Sequence, residues 1–176
     1  MTFHPCSIDG VWEIALEPRG DDRGWLVRTY CEEAFARQGL NVRWPQANTT
    51  RTRARGSIRG LHWQAEPQPE AKLVRCSRGV AWDVVVDVRP ASPTFGKWVA
   101  FELSEERPVE IYIPVGCAHG FQCLTDDVEL NYLMSAAYDP ELARGLRWDD
   151  PTVDVRWPLA PTVISDRDRS LPFLSR

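Results

Sequence analysis

Residues 80–113 decide the fold, and they read VAWDVVVDVRPASPTFGKWVAFELSEERPVEIYI. Three runs in this stretch, 80–88, 96–103 and 109–113, are rich in β-branched and aromatic residues. The segments between them, 89–93 and 104–108, carry the proline, serine and charged residues that are typical of turns. Short strands at this spacing, with 14 prolines in the chain and little helical periodicity, predict an all-β sandwich or barrel. A parallel α/β fold is disfavoured.

Outside this stretch, the composition is that of an ordinary globular protein. The chain has 176 residues, 43% hydrophobic and 26% charged, which predicts a single folded domain over residues 1–176. The densest apolar run, 84–86, is closed off by Asp83 and Asp87, so the sequence predicts no membrane span. A net charge of −4 disfavours partners such as nucleic acid or an anionic membrane surface. The N-terminus lacks the features of a secretory signal, and we therefore expect a cytoplasmic protein.

Two local features complete the outline. The segment Cys31–Gln38 is the convincing helix before the centre of the chain, with acidic residues at its start and Gly39 placed to end it. The five cysteines are scattered and contain no C-x-x-C pair, which predicts neither a zinc knuckle nor a disulfide framework. We expect them to be reduced, small core residues, and we expect the tail from Trp148 onward to be irregular but packed.

Histidines mark two stretches that could carry chemistry. Residues 113–121 read IPVGCAHGF, and their P-x-G-x-x-H spacing resembles the second signature of the cupin superfamily of jelly-roll barrels. Metal-binding cupins supply H-x-H in their first signature, where this chain has His62-Trp63-Gln64. His119 and His4 are the other histidines, so too few strong ligands are present for a stable divalent-metal site. The sequence therefore predicts no metal.

Six ordered motifs together resemble one enzyme family. They are R-G-L-H-x-Q at 59–64, K-L-V-R at 72–75, S-P-T-F-G at 92–96, I-P-x-G-x-x-H-G-F at 113–121, W-x-D-P at 148–151 and I-S-x-R-D at 164–168. This order resembles the dTDP-4-dehydrorhamnose 3,5-epimerase family. The resemblance implies a cofactor-independent isomerase with a cupin-type jelly roll and a few short helices. It also implies a homodimer that exchanges N-terminal strands, and a nucleotide-diphospho-4-keto-6-deoxysugar substrate that is inverted at C3, C5 or both.

The resemblance also assigns roles to individual residues. His62 matches the base that removes the proton beside the 4-keto group, and Asp168 matches the carboxylate that pairs with that base. Tyr132 matches the acid that returns a proton from the opposite face, and Lys72 matches the cation beside the enolate oxygen. The positions that match contacts to the nucleotide, diphosphate or sugar are Arg23, Gln46, Asn48, Arg59, His119, Tyr138 and Arg167, with Tyr138 stacking on the base. Arg28 is a further candidate binding residue, at a position where the chain departs from the family pattern.

Three positions depart from the family pattern. Leu26 replaces an aromatic residue, Arg28 replaces a glutamate, and Ala143 replaces a second carboxylate. Arginine offers donors where glutamate offers acceptors, so we expect the nucleotide, the sugar or both to differ from the usual thymidine-linked 6-deoxyhexose. Guanosine- and cytidine-linked sugars are the candidates. The alternatives that stay open are a mono-epimerase, a 3,4-ketoisomerase, a metal-dependent cupin enzyme and a non-catalytic sugar-binding jelly roll.

One arginine-rich stretch has two interpretations. Arg51, Arg53 and Arg55 alternate along 48–55 and would share one face of an extended strand. We favour a solvated edge strand that its charges protect from pairing, over a site for a small anion such as a diphosphate.

Overall fold

The fold consists almost entirely of antiparallel β-strands. A computed structural model describes residues 1–175. In chain order its elements are β1 (Thr2–Pro5), β2 (Trp12–Ala15), β3 (Arg19–Asp21), β4 (Gly24–Leu26), α1 (Glu32–Arg37), β5 (Gln46–Thr52), β6 (Ile58–Gln64), β7 (Lys72–Arg78), β8 (Val80–Asp87), β9 (Trp98–Ser104), β10 (Val109–Ile113), β11 (Cys117–Cys123), β12 (Val128–Met134), β13 (Ala143–Gly145) and α2 (Asp166–Arg169). The prediction of an all-β fold with a few short helices is confirmed.

Two sheets enclose the main core. One has six strands in the order β1-β2-β10-β7-β12-β5, and the other has five in the order β13-β6-β11-β8-β9. Alternate residues of each strand face the space between the sheets, as the two-residue period of a strand requires. Val74, Ile111 and Leu130 from the larger sheet meet Val85 and Phe121 from the smaller one there. The hairpin β3–β4 belongs to neither sheet.

The three strands predicted from residues 80–113 are present as β8, β9 and β10, and β10 has the predicted bounds. The turn between β8 and β9 is organised by Asp87. Its burial alone would raise its pKa, but hydrogen bonds from Arg89, Ser92 and Thr94 lower that pKa to about 2. Part of the S-P-T-F-G motif is therefore used to hold a turn.

The helix α1 packs against the outer face of the six-stranded sheet. The helix begins at Glu32 and ends at Arg37, within the predicted segment, and Gly39 follows with a φ of +69°. Phe35 is fully buried and packs against Tyr112 of β10 and against Tyr30. These aromatic contacts hold the segment that leads from α1 into β5 against the sheet.

The chain's tail packs on the five-stranded sheet, as predicted. Val153 and Ile164 are buried, and Asp150 accepts backbone hydrogen bonds from Val153 and Leu174. Phe173 remains half exposed. This packing brings the short helix α2 against β6.

The prediction of a charged edge strand holds for Arg51 alone, because β5 ends at Thr52 and Arg53 and Arg55 therefore lie beyond the strand. β5 is the last strand of its sheet, and Arg51 forms an ion pair with Asp127 at 2.9 Å.

The remaining predictions concern the cysteines and the membrane. All five cysteines are free; Cys76, Cys117 and Cys123 are buried, while Cys6 and Cys31 are partly buried. Within residues 1–175, no helix has the length and apolar character needed to cross a bilayer.

Candidate active site

A cavity of about 330 Å³ opens between the two sheets. The six-stranded sheet contributes side chains from β5, β7 and β12, and the five-stranded sheet contributes side chains from β6 and β11. The tail closes one side with residues at and around α2. The lining residues are Asn48, Thr50, Arg59, His62, Lys72, His119, Gly120, Phe121, Tyr132, Met134, Ser165, Arg167 and Asp168. All four residues predicted to be catalytic therefore meet in one cavity.

His62 and Asp168 form a hydrogen-bonded pair although they are 106 residues apart. His62 Nε2 lies 2.8 Å from Asp168 Oδ1, and the backbone N–H of Gly60 donates to Asp168 Oδ2 at 3.2 Å. Burial opposes ionisation of Asp168, but these hydrogen bonds and the charge of the imidazole hold its pKa below the ordinary value. A carboxylate at Nε2 fixes that nitrogen as the donor, which leaves Nδ1 as the atom able to accept a proton.

A close approach of two backbones shapes this wall of the cavity. A Cβ on Gly60 would lie 2.5 Å from Gly120 Cα on β11, so β6 has room only for glycine here. The β6–β11 register shifts at this point, with His62 opposite His119 and Arg59 opposite Phe121. Because of this irregularity, Arg59 and His62 both line the cavity although they are three residues apart.

Lys72 enters the cavity from the start of β7. Its Nζ lies 3.0 Å from Glu70 Oε1 and donates to the backbone carbonyl of His62 at 3.3 Å. The lysine and glutamate side chains are 9% and 6% exposed, so water screens this ion pair poorly.

A second histidine–carboxylate pair lies deeper in the cavity. His119 Nε2 is 2.7 Å from Asp83 Oδ2, and both side chains are buried. The other oxygen of Asp83 has no partner among the described residues. The ring of His119 also meets the ring of Tyr132 edge to face, with 5.9 Å between centroids.

Tyr132 projects into the cavity from the six-stranded sheet, opposite His62. Its hydroxyl lies 3.4 Å from Thr50 Oγ1 on the neighbouring strand. Desolvation raises the pKa of Tyr132 above its ordinary value, so the group is a neutral phenol with a proton to give.

Two arginines supply positive charge that no carboxylate neutralises. Arg59 Nε donates to Thr52 Oγ1 at 2.9 Å, and Arg167 lies in α2 at the cavity wall. Within residues 1–175, neither side chain is ion-paired, whereas His62, His119 and Lys72 each face their own buried carboxylate. Because their guanidinium groups are not neutralised, the part of the cavity beside Arg59 and Arg167 is suited to a small anion with several charges.

The other predicted binding residues fall into two groups. Asn48 lines the cavity, and Gln46 and Asn48 both reach Met134, which also lines it. Gln46 accepts a hydrogen bond from the backbone of Tyr138, whose ring is exposed, and neither residue lines the cavity itself.

Arg23 and Arg28 do not reach this cavity in the same chain. Arg23 lies in the β3–β4 hairpin with its side chain 89% exposed, and Arg28 lines a separate cavity beside Leu26. The structure therefore separates these two from the other predicted site residues.

Two buried acids at the site were missed by the sequence interpretation. Asp83 interrupts a run of apolar residues on β8, and Glu70 stands just before β7. A carboxylate within a buried strand needs a partner, so Asp83 carried a usable signal. Glu70 carried none, since it lies among proline, glutamine and glutamate in what reads as a solvated loop.

Known proteins resemble this chain along nearly its whole length. The family model described as dTDP-4-dehydrorhamnose 3,5-epimerase matches residues 5–176. The chain belongs to the dTDP-4-dehydrorhamnose 3,5-epimerase family. A curated epimerase of that name from Sinorhizobium fredii is 43% identical over 175 residues, covering 99% of this chain and 90% of the relative.

Solved structures of epimerases agree with this membership. NovW, a 4-keto-6-deoxy sugar epimerase from the novobiocin biosynthetic gene cluster of Streptomyces spheroides, superposes with a TM-score of 0.95 at 38% identity, covering 99% of this chain and 87% of NovW. ChmJ, a 3'-monoepimerase from Streptomyces bikiniensis in complex with dTDP-quinovose, superposes with a TM-score of 0.92 at 36% identity, covering 97% of this chain and 87% of ChmJ. The cupin-type fold expected of the epimerase family is thus confirmed, and the chain is an isomerase.

Proposed function

We propose that this epimerase inverts C3, C5 or both of a nucleoside-diphospho-4-keto-6-deoxysugar through an enolate. The observation that carries the proposal is the placement of His62 and Tyr132 on opposite sheets, with the cavity between them. Inversion at a carbon needs a proton removed from one face and returned to the other. A base and an acid that project from opposing walls meet that need.

The chemistry divides among the four residues. Nδ1 of His62 takes the proton from the carbon next to the ketone, and Asp168 stabilises the imidazolium that forms. The electron pair moves to the 4-keto oxygen, where the Lys72 ammonium balances the developing negative charge. The phenol of Tyr132 then gives its proton to the opposite face of the same carbon. Solvent exchange finally returns both groups to their starting protonation states.

Binding uses the remaining positive charge of the cavity. Arg59 and Arg167 would hold the diphosphate, because neither has a carboxylate to neutralise it in the described structure. His119 lies in the same cavity and is held by Asp83. At the edge of the site, Tyr138 would stack on the nucleotide base and Gln46 would orient it.

The protein is further proposed to act as a homodimer in the cytoplasm. The hairpin that holds Arg23 carries Trp25 and Leu26, which are 68% and 72% exposed. A second copy could cover these side chains, and the hairpin would then bring Arg23 and Arg28 to the partner's cavity. The five free cysteines fit a reducing compartment.

Proton NMR in deuterated buffer tests the reaction. With dTDP-4-keto-6-deoxyglucose, the proton signals at C3 and C5 should be lost separately as deuterium enters. Loss at both positions establishes a 3,5-epimerase, and loss at one establishes a mono-epimerase, the class of ChmJ. If thymidine-, guanosine- and cytidine-linked substrates all fail to exchange with folded protein, the proposal is wrong.

Two variants test the division of roles. His62→Ala should abolish exchange, because no other base lies at the scissile proton. Tyr132→Phe should still exchange deuterium while inversion slows by about 100-fold, since general acid catalysis contributes roughly that factor. If Tyr132→Phe exchanged no deuterium, the assignment of acid and base would have to be reversed.

The three departures from the family pattern, at Leu26, Arg28 and Ala143, concern which nucleotide base the enzyme binds. Titration calorimetry with the thymidine, guanosine and cytidine diphosphates compares the candidates directly. We expect guanosine or cytidine diphosphate to bind at least as tightly as thymidine diphosphate, because Arg28 offers donors in place of acceptors. Clearly tighter binding of thymidine diphosphate would contradict this expectation.

A further inference from the structure

The buried acid Glu70 forms an ion pair with the proposed oxyanion-stabilising lysine, and its side chain has no other polar partner among the described residues. Its side chain is 6% exposed, and one oxygen lies 3.0 Å from Lys72 Nζ. The other oxygen is buried without a partner among the described residues. Glutamate is rarely buried unless it is paired, so this one is retained for its contact with Lys72.

The contacts of Lys72 restrain its ammonium on two sides. Nζ donates one hydrogen bond, to the carbonyl oxygen of His62, and forms an ion pair with Glu70 Oε1 at 3.0 Å. An ammonium has three N–H groups, so a donor is left for the cavity that Lys72 lines. A lysine carries its charge on a flexible four-carbon stem, so its donors have a fixed direction only where partners hold the others.

The backbone around Glu70 is itself held in place. The N–H of Ala71 donates to Ser135 Oγ at 2.7 Å, and the N–H of Ser135 donates to the carbonyl of Ala71 at 3.0 Å. Gln64 Nε2 donates to the carbonyl of Gln68 at 2.7 Å. The loop before β7 is therefore tied to β6 and to the end of β12, and it presents Glu70 from a fixed position.

We propose that Glu70 is a positioning residue, which holds the Lys72 ammonium so that one of its N–H groups points at the oxygen that becomes the enolate. This inference rests on the proposed function. The carboxylate also neutralises the ammonium before substrate arrives, which leaves the diphosphate to Arg59 and Arg167. Donors that are oriented in advance stabilise a developing oxyanion without reorganising during the reaction.

The lysine content of the chain allows a direct physical test. Lys72 and Lys97 are the two lysines, so protein made with lysine labelled with ¹³C at Cε gives two sets of NMR signals. Lys97 is exposed and serves as an internal reference. In the unaltered protein we expect the two Hε protons of Lys72 to be resolved from each other, because the side chain is fixed, and those of Lys97 to coincide.

Glu70→Ala should merge the Hε signals of Lys72, and Glu66→Gln should leave them unchanged. Glu66 lies in the same loop and is exposed, which makes it the matched control. Lys72 signals that stay resolved in folded Glu70→Ala protein would overturn the proposal. This readout does not depend on turnover, so it judges Glu70 even if the proposed reaction is wrong.

The rate of deuterium exchange gives the second test. Glu70→Ala should lower kcat about 30-fold, while Glu70→Gln, which keeps an acceptor for Lys72, should lower it about 5-fold. The Kd for the nucleoside diphosphate should not rise in either variant, because losing the carboxylate removes no positive charge from the cavity. A merely structural role would weaken diphosphate binding and lower the melting temperature along with kcat.

A double-mutant cycle shows whether Glu70 acts through Lys72. In a Lys72→Met background, the further change Glu70→Gln should slow exchange by less than about 2-fold, because the group that it positions is gone. An equal slowing in both backgrounds would show that Glu70 acts independently of Lys72 and would overturn the proposal.

Discussion

At the scale of single residues, the site is organised by buried carboxylates. Asp168, Asp83 and Glu70 each sit within 3.0 Å of one basic group that lines the cavity. Burying such a pair costs desolvation energy that the attraction between the charges only partly offsets. The three pairs are therefore poorly explained as sources of stability and well explained as devices that hold three basic groups in place.

Glu110 shows what happens to a buried acid without such a partner. It lies on the outer face of the six-stranded sheet and is 2% exposed, with Arg75 Nε 3.9 Å away. Burial raises its pKa to about 8, and the charge of Arg75 only partly opposes this. Arg75 is the one other charged group among the described residues that line the adjoining cavity; Thr29, Thr49 and Asn131 there are neutral.

The raised pKa of Glu110 predicts a loss of stability with rising pH. The folded chain keeps this proton up to a pH of about 8, whereas the unfolded chain releases it near the ordinary pKa of 4.5. Folding thus takes up a proton between those pH values, and stability falls across that window. Glu110→Gln should remove the effect. The variant should match the unaltered protein at pH 4.5 and exceed it by about 4 kcal/mol at pH 9.

Thermal unfolding at a series of pH values measures this difference. Glu102→Gln, at an exposed position of β9, provides the control and should give a pH-independent difference near zero. A Glu110→Gln variant whose advantage stayed constant from pH 4.5 to pH 9 would show that Glu110 does not change its ionisation on folding.

At the scale of elements, the close contact between the neighbouring strands β6 and β11 sets the position of the proposed catalytic base His62. Gly60 has a φ of +121°, and an added Cβ would meet Gly120 Cα at 2.5 Å. Gly60→Ala should therefore lower the free energy of unfolding by more than about 3 kcal/mol, from strain and from the forced separation of the two strands. Exchange activity should be lost with it, because Arg59 and His62 flank this position.

Gly39→Ala is the matched control for that experiment. Gly39 also has a positive φ, +69°, but an added Cβ would meet nothing within 4 Å. Its cost should be about 1 kcal/mol, from backbone strain alone. Urea unfolding measures both variants, and equal losses would mean that the contact between β6 and β11 does not limit the residue at position 60.

Individual elements also show how far the sequence predicts the structure. The period of two and the flanking prolines were enough to place β10 to the residue, because a short buried strand between turns has few alternatives. The same period places His62 and Gln64 on one face of β6. His62 lines the cavity, whereas the amide of Gln64 bonds to the backbone of Gln68, Ala137 and Asp139 and does not line it.

The site was predictable only where motifs marked it. His62, Lys72 and Asp168 lie within the ordered motifs, and Tyr132 was assigned by the family resemblance, whereas Glu70 was found by neither. Irregular pairing at Gly60 places Arg59 beside His62, and no alternation pattern contains that shift. Contacts between distant segments, such as Asp168 with His62, depend on how the tail packs, which local sequence does not encode.

At the scale of the whole molecule, the hairpin β3–β4 is the part that the single chain does not explain. It pairs only with itself among the described strands, and it exposes Trp25 and Leu26. Arg23 is held there by Asp21 on the same hairpin. An element that exposes large apolar side chains and pairs with neither main sheet is typical of a segment that packs on another chain.

Mixing two inactive variants tests whether the hairpin serves the partner's cavity. Arg23→Ala damages the hairpin, and His62→Ala damages the cavity. In a mixed dimer with exchanged hairpins, the cavity of the Arg23→Ala chain receives an intact hairpin from its partner, so one of the two sites is whole. Equal amounts of the chains, refolded together, give half mixed dimers and should recover about one quarter of the unaltered activity.

The control for this complementation combines two lesions of the same cavity. His62→Ala mixed with Asp168→Asn leaves every site damaged whichever hairpin it receives, so this mixture should recover nothing. Light scattering on each mixture confirms that dimers are present. If the hairpin served its own chain, each site of the first mixture would hold one lesion and no activity would return. Recovery in that mixture alone therefore requires both a dimer and an exchange of Arg23 between its chains.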